Sequence, residues 1–524
     1  MRNSLARLAA TRLVATRLAV ALVALGSAGA ALAEAPLSAI DWLSQSVAAP
    51  PATAPAPDEP AVTDGSALPA NVSVSVLGRP SPDGVGLLPA QVSGLPRNLW
   101  GLGRTDAIIA ALFAEDLAEL PALQGLLITL LLAEAEPPAD AGSTGRLLVA
   151  RLDRLLGIGA LDQAEALLEA ADATTSPELF RRRFDVALLT GSEDRACDEM
   201  RENPGLAPTF PARIFCLARS GDWNAAALTL RTAQALGQIG PEDDALLSRY
   251  LDPDLYEGEP MPAPARPITP LSWRMFEAVG ETLPTGSLPL AFAHAELRET
   301  AGWKAQIEAA ERLARAGAIP PNLLLGLYTQ GMPAASGGVW DRADAFQGFD
   351  QALARRDPQA VSRELPLVWA QMRAVELEVP FAALFAQRLA ALPLTDGAAK
   401  LAYEIGLLSP DYQRIARAPV SDDVRERFLA GLATGKLAGL VAPDSMARAI
   451  APAFSDAPVA GEAQVMLDEG RVGEALLWGM GRIARGVRGD LRGVTEGLAL
   501  LRAAGMEDVA RRTALELMLL ERRG

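Results

Sequence analysis

The sequence predicts an all-α chain, a superhelical solenoid of helix-turn-helix repeats with a short β or irregular segment at its N-terminal side. Three observations carry this expectation. From about residue 105 onward, segments of roughly 10–16 residues place apolar side chains at i, i+3, i+4 and i+7, the spacing of one helix face. Short Gly, Pro or Asp breaks separate those segments. A glycine followed five positions later by an alanine recurs where one segment ends and the next begins.

Residues 1–33 read as a secretory leader. Arg2, Arg7, Arg12 and Arg17 occur there without an acid, an apolar run follows from Leu18 to Leu25, and Ala31-Leu32-Ala33 precedes Glu34. That three-part pattern predicts cleavage after Ala33 and export to the periplasm. The apolar run is shorter than the ~20 residues of a membrane span. No later stretch is long enough either, and Leu123–Ala133, the most apolar one, reads as a buried core helix.

Residues 34–70 read as a Pro/Ala-rich arm. The stretch 49–60 holds five prolines and cannot be a helix interior. Upstream of it, Ile40, Trp42 and Leu43 form a candidate docking motif on that tether. Residues 71–104 read as a short strand and a strap, because Val72 to Val76 alternates apolar and polar residues before a turn-rich stretch.

The helical body begins at Thr105, which has the chemistry of an N-cap. Leu147, Leu148, Leu152, Leu155 and Leu156 mark one helix face, and Ala164, Leu167 and Leu168 mark the next. An array over 105–250 and another over 271–524 are expected, separated by a linker at 251–270 that is acidic and rich in proline.

The Gly/Ala pairs are Gly159/Ala164, Gly191/Ala196, Gly221/Ala226, Gly470/Ala475 and Gly505/Ala510. Glycine can end a helix in the left-handed conformation, and the small alanine lets the next helix approach closely. In this respect the chain resembles tetratricopeptide-type helical-repeat proteins of the bacterial envelope, with their ~34-residue period. The Trp and Tyr positions of that repeat's signature are not matched. The resemblance implies a scaffold or a peptide-binding solenoid.

Composition limits the chemistry. The chain has 48 Lys+Arg and 64 Asp+Glu, a net charge of −16. Loss of the four leader arginines takes it to −20. Such a chain lacks the basic footprint of a nucleic-acid binder, and its field favours a basic partner. One histidine, His294, and two cysteines leave too few ligands for a zinc site of the usual type. A histidine triad would have to use His294, which reads better as a hydrogen-bonded structural residue. No P-loop or GxSxG is present, and GLATGK at 431–436 is one residue short of the former. The acidic loop of Asp252, Asp254, Glu257 and Glu259 reads as solvated. No cofactor is expected.

Cys197 and Cys216 flank the loop NPGLAPTFP symmetrically, their midpoint falling between Leu206 and Ala207. Residues equidistant from the turn of an antiparallel hairpin sit side by side, so a disulfide is expected, as the periplasm permits. Trp100 and Trp340 fall in loop-rich segments and are candidate groove residues.

The expected function is a non-enzymatic periplasmic scaffold or adaptor that binds a protein or peptide on its repeat groove. The alternatives are a cell-envelope enzyme using groove carboxylates on peptidoglycan, and a periplasmic motility-associated protein. The enzyme requires a close Asp/Glu pair in a deep pocket.

Overall fold

The computed structural model describes residues 81–334, 337–418, 421–455 and 457–520. The chain divides into Met1–Val76 and Leu77–Gly524, and every described residue belongs to the second unit. The leader, the arm with Ile40, Trp42 and Leu43, and the Val72 to Val76 alternation lie outside the described residues. Among the described residues there are twenty-five α-helices and no strand, and neighbouring helices pack in pairs as a helical-repeat solenoid.

The repeat junctions follow from backbone geometry. Gly159, Gly191, Gly221, Gly470 and Gly505 all adopt positive φ, between 69° and 86°. The residue after each glycine folds back onto the preceding helix. The Asp222 N–H donates to the Leu217 carbonyl at 3.0 Å, and the Arg471 N–H donates to the Met466 carbonyl at 2.8 Å. These bonds satisfy carbonyls that a helix end leaves open. Ala164, Ala196, Ala226, Ala475 and Ala510 are all buried against the partner helix.

Residues 81–88, within the 71–104 segment, run along the first helices as a strap. It contains a short turn at Pro82–Gly84 and runs beside the end of helix Pro121–Leu132, where Leu88 and Ala133 make one isolated parallel bridge. Arg151, on helix Arg146–Gly157, is 2% exposed and holds the strap in place. Its guanidinium donates to the carbonyls of Asp83 and Val85 in the strap, at 3.3 and 2.7 Å. It also donates to those of Leu131 and Ala133, at 2.7 and 3.0 Å. Asp83, buried beside it, accepts the Leu148 N–H at 2.7 Å. Burial pulls the Arg151 pKa down to about 10, partly offset by the Asp83 charge, so Arg151 stays cationic at neutral pH.

Thr105 is not an N-cap but the first residue of helix Thr105–Phe113. Its hydroxyl and N–H both donate to Asp140 Oδ1, at 2.7 and 2.9 Å. The apolar stretch forms the buried helix Pro121–Leu132. Among the described residues no helix is long and apolar enough to cross a membrane.

Cys197 on helix Glu193–Glu202 and Cys216 on helix Phe210–Arg219 form a disulfide, with Cα atoms 5.1 Å apart. The loop it closes spans 19 positions, so the unfolded chain is constrained by about 3 kcal/mol. Replacing both cysteines by serine should lower the unfolding free energy by about that amount in urea titrations. A loss under about 1 kcal/mol would mean that the hairpin is held by packing alone.

The proline-rich stretch does not separate two bodies. Leu246 and Leu247 before it share one core with Leu271, Met275 and Phe276 after it. The helices Pro241–Leu251 and Pro270–Ala278 pack together while the prolines loop out.

The last helices return to the first. Helix Val472–Val487 packs on Thr105–Phe113, and Glu507–Leu519 packs on Pro121–Leu132. The Gly473 N–H donates to the Leu99 carbonyl at 2.8 Å. Glu115 pairs with Arg485 and, at 3.1 Å, with Arg488. Both carboxylate oxygens of Glu516 accept the Ala122 N–H at 3.0 Å, across 394 positions. They lie where the start of that helix leaves donors open. Ile108, Leu123, Leu476, Met480 and Leu515 complete one core drawn from both ends.

Candidate peptide groove

An open groove of about 760 Å³ lies near the C-terminal end of the array. One wall is helix Ser445–Ile450, whose N-terminus is capped by Asp444 accepting the Ala447 N–H at 2.8 Å. The facing wall is helix Leu491–Ala503, capped by Asp490 accepting the Gly493 N–H at 3.0 Å. Thr495 ties the two walls together by donating to the Ala449 carbonyl at 2.6 Å. The non-helical segment 457–460, ahead of helix Gly461–Asp468, also lines the groove. Pro458 keeps that segment out of a helix.

Two features of the groove are chemically open. The N–H groups of Val459 and Ala460 and the carbonyls of Pro458 and Val459 take no partner among the described residues. Arg448 is exposed on one wall with no carboxylate partner among them. Arg492 on the other wall has a side chain 84% exposed and reaches Glu496 Oε1 at 2.7 Å. Glu496 is further held by Arg482, at 3.0 and 2.6 Å to its other oxygen. Among the described residues, Glu496 is the only carboxylate lining the groove; it is matched by two guanidiniums, and Arg448 is left over.

The tryptophans lie elsewhere. Trp100 is 3% exposed and lines none of the described clefts. It lies against Gly473, where an added Cβ would fall 2.4 Å from its ring. Trp340 is in the first turn of helix Val339–Ala354 and is half-buried against Trp303, ring centroids 5.1 Å apart. His294 is buried, and its Nε2 bonds the Gly159 carbonyl at 2.6 Å. Burial lowers its pKa below 6.5. On acidification the unfolded chain takes up this proton first, so His294 costs stability as pH falls below its ordinary value.

Asp185, on helix Pro177–Thr190, escaped the sequence reading because a lone helical carboxylate carries no motif. Burial, with some repulsion from Asp153, raises its pKa from 3.8 to about 6, against the pull of Arg181 and Arg182. Raised acids mark functional sites as well as structural ones. Here the neighbouring Asp153 has both oxygens bound by Arg182, at 2.6 and 2.7 Å. Between about pH 4 and 6 the folded chain keeps a proton that the unfolded chain has released, so stability falls as pH rises through that window. Asp185→Asn should therefore stabilise the protein by roughly 1–3 kcal/mol at pH 7 and by much less near pH 4. Urea midpoints at both pH values check this, and an equal gain at both would exclude titration as the cause.

Smaller clefts are also present among the described residues. One of about 250 Å³ is lined mainly by aliphatic residues, among them Leu389, Leu392 and Ile415. Another of about 210 Å³ lies over the disulfide. A third, lined by Glu119 and Glu516, measures only about 20 Å³. It has room for about one water, and Glu516 is already committed to the Ala122 N–H. A comparison with protein-family models, with curated protein sequences and with solved structures finds no match to this chain.

Proposed function

We propose that this chain is a secreted, periplasmic scaffold that holds an extended segment of a partner protein in the groove between Ser445–Ile450 and Leu491–Ala503. The observation that carries the reading is the unpartnered, non-helical backbone at Val459 and Ala460 inside this cleft. A peptide laid beside such an edge gains main-chain hydrogen bonds, while neighbouring side chains choose the sequence. The disulfide and the leader-like N-terminus support export to an oxidising compartment. Among the described clefts, the one lined by two carboxylates, Glu119 and Glu516, is too small for a sugar ring.

The test is photo-crosslinking in the exported protein. A photoreactive residue at Ser445 or Ala457, both lining the groove, should give the same discrete adduct. The same reporter at Arg355, exposed just past the end of helix Val339–Ala354, should not. Equal labelling from all three positions, or none from the groove, would overturn the assignment.

A further inference from the structure

We propose that the groove selects an acidic extended segment, one whose Asp or Glu side chains reach Arg448 and Arg492, against the sign of the protein as a whole. This rests on the peptide-binding reading above and adds the chemistry of the partner. The chain carries a net charge of −16, and by that measure a basic partner would be preferred. The groove is locally different. Among the described residues its lining contains Arg448, Arg492 and Glu496 as charged groups, and Arg482 behind the wall also binds Glu496. The cationic groups therefore outnumber the anionic one at the surface a ligand would meet.

The placement also matters. Arg448 and Arg492 line the same groove from two different helices, and the segment 457–460 lines it as well. Successive side chains of an extended peptide point to opposite sides. A strand-like ligand paired with Val459 and Ala460 presents alternate residues to one wall and then the other. Arg448 is the freer of the two, because Arg492 already shares Glu496. Guanidinium is suited to this task, since its planar donors match a carboxylate in two-point geometry. Pro458, Val459 and Ala460 supply an apolar surface for the residues between the acids.

Long-range and short-range electrostatics then have separate roles. The overall negative field slows the approach of any acidic chain, and salt screens that field over about 8–10 Å. The contact with Arg448 lies inside that distance. Only a segment that already fits the groove collects the local attraction, which makes the site selective rather than adhesive.

The experiment uses the full secreted chain and a fluorescein-labelled, C-amidated Val/Thr peptide with aspartates at alternate positions. A counterpart with lysines and another with asparagines at those positions are the controls. Fluorescence anisotropy should show the aspartate peptide binding at least about tenfold tighter than either control. Arg448→Glu should remove that preference, and its circular dichroism should match that of the parent because Arg448 is exposed. Equal or tighter binding of the lysine peptide, binding of the aspartate peptide that Arg448→Glu leaves intact, or no binding of the aspartate peptide would each overturn the inference. If groove crosslinking still captures a discrete partner in those cases, the peptide-binding reading stands and only the charge preference falls.

Discussion

Arg151→Met lowers the unfolding free energy by about 3–5 kcal/mol, the usual cost of removing one side of a buried ionic and hydrogen-bonded set. Four carbonyls, those of Asp83, Val85, Leu131 and Ala133, lose their donor at once. Asp83 loses its counter-charge while remaining 1% exposed. Methionine fills much of the same volume, so the loss reports the polar network more than a cavity. Arg151→Lys should recover only part of it, because an ammonium cannot reach four acceptors spread over the strap and the helix end. Urea unfolding gives the magnitude. Hydrogen exchange gives the place, with the amides of Leu87 and Leu88, both bonded to the Leu132 carbonyl, exchanging fastest in the variant. A loss under about 1 kcal/mol would show that the strap is held by its apolar contacts instead.

Gly473→Val should cost roughly 4 kcal/mol and separate the two ends of the array. The ring of Trp100 occupies the space a side chain would need, with atoms 2.4 and 2.6 Å from an ideal Cβ and Leu99 Cγ at 3.2 Å. Trp100 must leave its buried seat, and the Leu99 to Gly473 hydrogen bond goes with it. Tryptophan fluorescence should shift to the red, and the amide of Ala122 should lose protection even though its own residue is unchanged. A second substitution, Trp100→Ala, tests whether the clash is the cause. In that background Gly473→Val should add little, since the two changes share one contact. Additive losses would place the effect elsewhere in helix Val472–Val487.

Much of the helical body is legible locally. The faces around Leu147 and Leu167, the buried Pro121–Leu132 helix and the cysteine pair all follow from spacing, because helices and tight hairpins are short-range structures. Five junctions are visible because a glycine fills the left-handed position. Others are hidden. Arg356 and Glu376 adopt the same conformation, at φ 53° and 58°, and the position five residues on holds Val361 or Phe381 instead of alanine. The junction is a backbone requirement, and glycine is only its commonest occupant.

The candidate site was less legible, for a different reason. Arg448, Val459 and Arg492 lie in separate segments, and each is unremarkable in its own. Their meaning comes from the loop that brings them together and from what is missing around them. Trp100 misled in the opposite sense. Its segment is loop-like, yet the surface it packs on belongs to Gly473, far along the chain. The strap is similar, since nothing near Arg151 in sequence shows that four carbonyls await it.

The meeting of the two ends also sets a count. An open array of hairpins can gain or lose a unit, because each touches only its neighbours and the ends are free. Here the Glu516 carboxylate must arrive at the Ala122 amide, and Trp100 must arrive at Gly473. One hairpin more or fewer would carry these partners past each other. The length of this array is therefore written into its closure, and duplication, the usual route by which such proteins grow, is shut to it unless the clasp is lost first.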